Sequence, residues 1–108
     1  MTDTPLWSAL VTEHGSTRTV TLAGELDLLG ADELRQLLIA QLDGPGATTV
    51  VADLAGVTFL DSAALGALVL AYRHAEDSGR RFTVVAPARS VRHVLEIGGV
   101  YEILAGPA

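Results

Sequence analysis

Thr48 to Leu54 is a run of β-branched and apolar residues, and a few positions later Asp61-Ser62 opens a second run, to Tyr72, whose apolar positions recur at helical spacing. A short loop carrying Val57, Phe59 and Leu60 joins the two. A buried strand that feeds directly into an almost uncharged helix restricts the chain to folds in which helices cover a sheet.

The flanking segments extend this pattern. Leu6 to Thr12 and Thr17 to Ala23 read as strands joined at His14-Gly15-Ser16 into an antiparallel hairpin, with Val20 and Leu22 on one face. Gly24-Glu25-Leu26-Asp27 then leaves the sheet. A helix from about Ala31 to Asp43 presents Ala31, Leu34, Leu38 and Leu42, carries Asp32 and Glu33 in its first turn, and stops at Gly44-Pro45-Gly46. Thr48 to Asp53, apolar on both faces, marks the middle of a parallel arrangement. The Ser62 helix runs to Gly79, and Phe82 to Ala86 is the next strand. Ser90 caps a short helix that points Val91, Val94 and Leu95 inward, Gly98-Gly99 closes it, and Tyr101 to Leu104 forms a last packed segment. The predicted fold is α/β, a single domain over 1–108. Its mixed sheet opens with an antiparallel hairpin and continues β-α-β-α-β-α, with right-handed crossovers and helices packed on the sheet.

The 108 residues suit one core, built mostly from aliphatic side chains because only two residues are Phe. A net charge of -6 repels nucleic acid and anionic lipid, so no nucleic-acid partner is expected. No cysteine is available for disulfides, thiol catalysis or thiolate metal sites. Ala63 to Tyr72, the longest uncharged apolar run, is about half the ~20 residues a spanning helix needs. No direct membrane insertion is expected; the expectation is a soluble, cytoplasmic chain, monomeric or weakly dimeric.

On the Ser62 helix, Leu65, Leu68, Val69, Tyr72 and Ala75 fall on one side, which is expected to be core. Ala63, Gly66, Ala67, Leu70, His74 and Asp77 fall on the other. For two turns that second side offers only small or apolar residues, which suits a close-fitting partner or, equally, a neighbouring helix of the same chain. Ser62 and Asp61 are both residue types that cap helix starts, and Asp27 fits either a cap or a partner contact.

The stretch DLAGVTFLDSAALGALV, Asp53 to Val69, resembles the signature of the STAS domain, the family of sulfate-transporter tails and anti-sigma factor antagonists, and Gly24-Glu25-Leu26-Asp27 is similar to its other recurrent motif. The resemblance covers nearly the whole chain. It implies an anti-sigma factor antagonist acting in transcription regulation. Unphosphorylated, such a protein binds an anti-sigma factor of the ATP-binding serine kinase type and so frees a sigma factor; phosphorylated on Ser62, it lets go. A serine phosphatase is a further implied partner, and Asp27 and Asp61 match positions near the site. With Ser62, Ala63, Gly66, Ala67 and Leu70 they make the expected partner surface. Ala63 and Ala64 depart from a pattern that commonly has a hydroxyl or small residue followed by Gly. This leaves Ser62 the sole acceptor in the segment and sets a methyl at Ala64 where a kinase would approach. The alternative implied by the family is a non-phosphorylated subunit of a membrane transporter complex or signalling scaffold.

An enzyme is not expected. His74, on the same helix, lies about 18 Å from Ser62 at 1.5 Å per residue, no Gly-x-Ser-x-Gly elbow is present, and His14 and His93 are isolated. No metal-ligand spacing or phosphate-binding glycine loop occurs, so no cofactor is expected and any nucleotide belongs to the partner. Arg80-Arg81, Arg89 and Arg92 read as solvated element ends, and Trp7 as packing in the hairpin.

Overall fold

A computed structural model describes residues 6–106. The hairpin is β1, Trp7–His14, and β2, Thr17–Leu26, paired antiparallel with His14 opposite Thr17. Gly15, at φ 61°, supplies the left-handed residue that a two-residue turn needs. The chain continues through α1 (Leu28–Leu42), β3 (Thr49–Leu60), α2 (Ser62–Asp77), β4 (Arg81–Val85), α3 (Arg89–Ile97) and α4 (Tyr101–Ala105). Among the described residues the sheet has four strands in the order β1-β2-β3-β4, antiparallel at β1/β2 and parallel thereafter. This is the expected mixed α/β arrangement.

Four boundaries differ from the expectation. Gly24-Glu25-Leu26 does not leave the sheet; it continues β2, with Leu26 opposite Leu60. The segment with Val57, Phe59 and Leu60 is not a loop but the second half of β3. Two register shifts against β2 put extra residues into β3, so its buried positions change from every second residue (Val50, Ala52, Leu54) to every third (Val57, Leu60). Strict alternation is lost there, and with it the strand signal. Helix α1 starts at Leu28 rather than Ala31, which moves Asp32 and Glu33 out of its first turn and puts Gly30 on the buried stripe with Leu34, Leu38 and Leu42. Trp7 packs on that glycine, whose missing Cβ leaves room for the indole. In α3 the N-cap is Ala88, so Ser90 lies within the first turn and makes no capping bond.

Helices α1 and α2 lie side by side over the sheet, α3 packs against β3, and α4 lies against β4. The core joins Val20, Leu22, Val50, Ala52 and Val84 of the sheet to Leu34, Leu38 and Leu68 of the helices. Only one face of the sheet is deeply covered. The expectation that β3 is buried on both faces fails at Val51 and Asp53, which are half-buried, in a face that exposes Leu10, Thr21 and Val85. The arginines tie elements together: Arg80 donates to the Leu42 carbonyl at the end of α1, and Arg92 lies 4.4 Å over the Tyr101 ring.

Gly24 sets how β2 reaches its last residues. At φ 94° it occupies a conformation costly for other residues, and a Cβ there would run into the Leu6 carbonyl, whose oxygen accepts the Glu25 N–H at 2.9 Å. Gly24→Ala is expected to lower unfolding free energy by at least about 2 kcal/mol in urea denaturation.

Candidate functional site

Strands β2 and β3 end level with one another, Leu26 beside Leu60, and an aspartate follows each. Both aspartates cap the helix that comes next. Asp27 keeps an extended backbone and its Oδ1 accepts the Leu29 N–H at 3.1 Å. Asp61 does more: Oδ1 accepts the Ala64 N–H at 2.9 Å, and Oδ2 accepts the Leu28 N–H of the other helix at 3.0 Å. Its own N–H donates to the Leu26 carbonyl at 3.1 Å. One carboxylate therefore closes the first turns of α1 and α2 and fixes two helix N-termini next to each other.

Asp61 occupies the cap, so Ser62 is the first residue of α2 and not its cap. Its side chain is exposed, and no hydrogen bond engages the hydroxyl among the described residues. A serine of this kind contributes nothing to the fold that alanine would not. Along the outward side of α2, Ser62 is followed at successive four-residue steps by Gly66 and Leu70, the latter 47% exposed. A Cβ added at Gly66 would meet nothing within 4 Å, so no packing inside this chain requires glycine there.

The buried stripe of α2 is rotated from its expected position. It comprises Ala64, Ala67, Leu68, Ala71 and Ala75, while Leu65, Val69 and Tyr72 are only half-buried at its flank. The small side chains take the deeply buried side of the helix, and the bulkier residues at its flank lie toward the C-terminal helices. Leu65 there meets Gly98, and Tyr72 lies near Ile103. Corrections at four residues follow. Ala67, expected on the exposed partner side, is 4% exposed and belongs to the core, and Ala63 is half-buried. Ala64 is fully buried, so its methyl points into the core and does not stand in the path of a kinase. His74 also leaves the open side: its Nε2 lies 2.6 Å from Asp43 Oδ1 at the end of α1.

Around the Ser62 end the surface is apolar in a way that the sequence reading missed. Leu28 and Leu29 in the first turn of α1 are 72% and 86% exposed, and Phe59 near the end of β3 is 48% exposed. Leu28 and Leu29 lie at the start of α1 itself and Phe59 two residues before the Asp61 cap, while Leu70 lies two turns along α2. The available signal was the Leu28-Leu29 doublet, which lies off the Leu34-Leu38-Leu42 stripe once the helix is begun at the residue after Asp27. Among the described residues no group of acidic or histidine side chains is placed to hold a metal ion, and no helix is long and apolar enough to cross a membrane.

A family model described as "Mlab, STAS domain" matches residues 9–105. The anti-sigma F factor antagonist of Lysinibacillus sphaericus is 27% identical over 84 residues, which span 78% of this chain and 72% of that protein. A crystal structure of an anti-sigma factor antagonist from Mycobacterium paratuberculosis superposes with a TM-score of 0.75 at 29% identity, covering 87% of this chain and 79% of that one. The anti-sigma factor antagonist SpoIIAA in its unphosphorylated form shares the fold, with a TM-score of 0.76, 22% identity, and coverage of 87% and 83%.

The two kinds of residue at this site separate by stability. Asp61→Ala is expected to cost about 2 kcal/mol or more, since it strips a partner from two helix starts, and Asp27→Ala about 1 kcal/mol. Gly66→Ala should instead stabilise the protein by about 0.5 to 1 kcal/mol. Chemical denaturation of the three variants measures all of this.

Proposed function

The chain belongs to the STAS domain family, and on that premise we propose that it is an anti-sigma factor antagonist switched by phosphorylation of Ser62. Unphosphorylated, it holds an anti-sigma factor and thereby frees a sigma factor; phosphorylated, it releases its partner. One observation carries this reading: Ser62 is exposed at the start of α2 while Asp61 does the capping, so the hydroxyl is free for chemistry that the fold does not need.

The docking face is the Ser62-Gly66-Leu70 ridge with the half-buried Ala63 beside it, bordered by Leu28, Leu29 and Phe59. Gly66 keeps the ridge low enough for a partner backbone to approach, which gives a reason for a glycine that lowers helix stability. Asp27 and Asp61 hold the surface in shape from below. The partner is the kinase: it brings the ATP, the Ser62 Oγ attacks the γ-phosphorus, ADP leaves, and the hydroxyl proton passes to a base of the partner.

The same geometry tolerates the product. A phosphate of charge about -1.5 to -2 at the first residue of α2 sits at the positive end of the helix dipole, beside the N–H groups of Ser62 and Ala63. Against a partner carboxylate roughly 6 Å away it is disfavoured by about 2 to 5 kcal/mol at an intermediate dielectric. This corresponds to at least about tenfold weaker binding.

Incubation with ATP and a candidate anti-sigma kinase, followed by mass spectrometry, is expected to place a single phosphate on Ser62. In titration calorimetry Ser62→Ala should bind as the unmodified protein does and Ser62→Asp at least about tenfold more weakly. Gly66→Ala should bind more weakly although its fold is more stable. Equal binding by all three would sink the switch. Absence of phosphate together with co-purification of a transporter ATPase would support the transporter-subunit alternative.

A further inference from the structure

Strand β1 is an edge. It pairs with β2 on one side, and among the described residues nothing covers the other. Its eight residues, Trp7 to His14, run without a proline or a register shift, and only Trp7 and Val11 are even half-buried. Natural edges are commonly blunted by bulges, prolines or lysines, and this one has none of them.

The register fixes which backbone groups point outward. The Glu25 N–H donates to the Leu6 carbonyl, and His14 opposite Thr17 closes the two-residue turn, so the even-numbered residues of β1 spend their N–H and C=O groups on β2. Trp7, Ala9, Val11 and Glu13 are left with theirs facing outward. Antiparallel pairing with a second copy can match only outward-facing residues with one another. Centred on Leu10, it sets Ala9 against the partner's Val11 and Trp7 against the partner's Glu13, so every outward group finds a mate. Leu10, 65% exposed, then meets the partner's Leu10 in a non-hydrogen-bonded pair, where side chains come closest. No like charges face each other: Glu13 is already paired with Arg18 at 3.4 Å and lies opposite Trp7. A centre at Val11 instead pushes Trp7 past the end of the partner strand and leaves its outward groups unmatched.

We propose that the free edge of β1 is a homodimer interface, in which two copies pair antiparallel about Leu10 and continue the sheet from one copy into the other. This surface is separate from the Ser62 ridge and stands whether or not the proposed switch is correct. A single strand pair is smaller than the roughly 800 Å² per partner of a standard interface, so the dimer forms at high protein concentration. Each copy carries a net charge of -6, so added salt tightens it.

The chain has no cysteine, which makes the register directly readable. Leu10→Cys places two thiols on Cβ atoms about 4.5 to 5.5 Å apart across the dimer, near disulfide reach, and mild oxidation is expected to cross-link it. Thr12→Cys, on the same face, is opposite the partner's Ser8 and about 14 Å along the strand from its own counterpart, and should stay uncross-linked. In sedimentation equilibrium the unmodified protein is expected to dimerise with rising concentration, and Leu10→Lys to weaken this at least tenfold. Ala9→Pro, which removes an outward N–H that β2 does not use, should do the same. A monomer up to a concentration on the order of 1 mM, or cross-linking of Thr12→Cys in place of Leu10→Cys, overturns the proposal. So does a dimer indifferent to both substitutions, or an edge that pairs only with a different protein.

Discussion

The carboxylate of Asp61 is the joint on which the Ser62 end of the molecule depends. Its two oxygens accept N–H groups from different helices, Ala64 of α2 and Leu28 of α1, while its own N–H is held by the carbonyl of Leu26. These bonds are available only because β2 and β3 end in register, Leu26 beside Leu60. Helix starts leave N–H groups unsatisfied, and a carboxylate there combines hydrogen bonding with the attraction of the helix dipole. A single side chain thus converts strand register into the placement of two helices.

That arrangement frees the neighbouring position. With Asp61 as the cap, Ser62 has no structural duty, and the four-residue steps along α2 carry the exposed ridge from Ser62 through Gly66 to Leu70. The opposite side of the same helix is given to Ala64, Ala67 and Ala71, all buried in the core. Small residues therefore serve two purposes on one helix: alanines fill its buried side, and the half-buried Gly66, where a Cβ would meet nothing within 4 Å, keeps the outer surface low. Exposed Leu28, Leu29 and Phe59 add apolar area around a site whose polar groups are few. Such a surface is low and apolar, and it offers few polar groups with which to hold a small molecule.

Much of this was legible in the residues. Strand and helix order, the paired aspartates, Ser62 and the hairpin turn follow from local patterns, because turn residues, caps and apolar periodicity act over a few positions. The second half of β3 was not legible, since its bulges replace alternation with a three-residue spacing that reads as a loop. The start of α1 was misplaced because Leu28 and Leu29 are exposed leucines, out of phase with the stripe that identifies the helix. The faces of α2 were misassigned at Ala67, because side-chain size, which decides how near another helix can come, does not enter a wheel of hydrophobicity.

The sequence by itself determined the fold class, the family and the few residues on which a switch could be built, because those rest on short-range periodicity, capping chemistry and motif spacing. Tertiary structure alone decided which aspartate caps which helix, that Ala64 is harmlessly buried, and that Ser62 is left without a structural bond. It also decided that the edge of β1 is open and which of its backbone groups point outward. Each of these depends on strand register and on the distance between elements far apart in the chain, which local residue pattern does not encode.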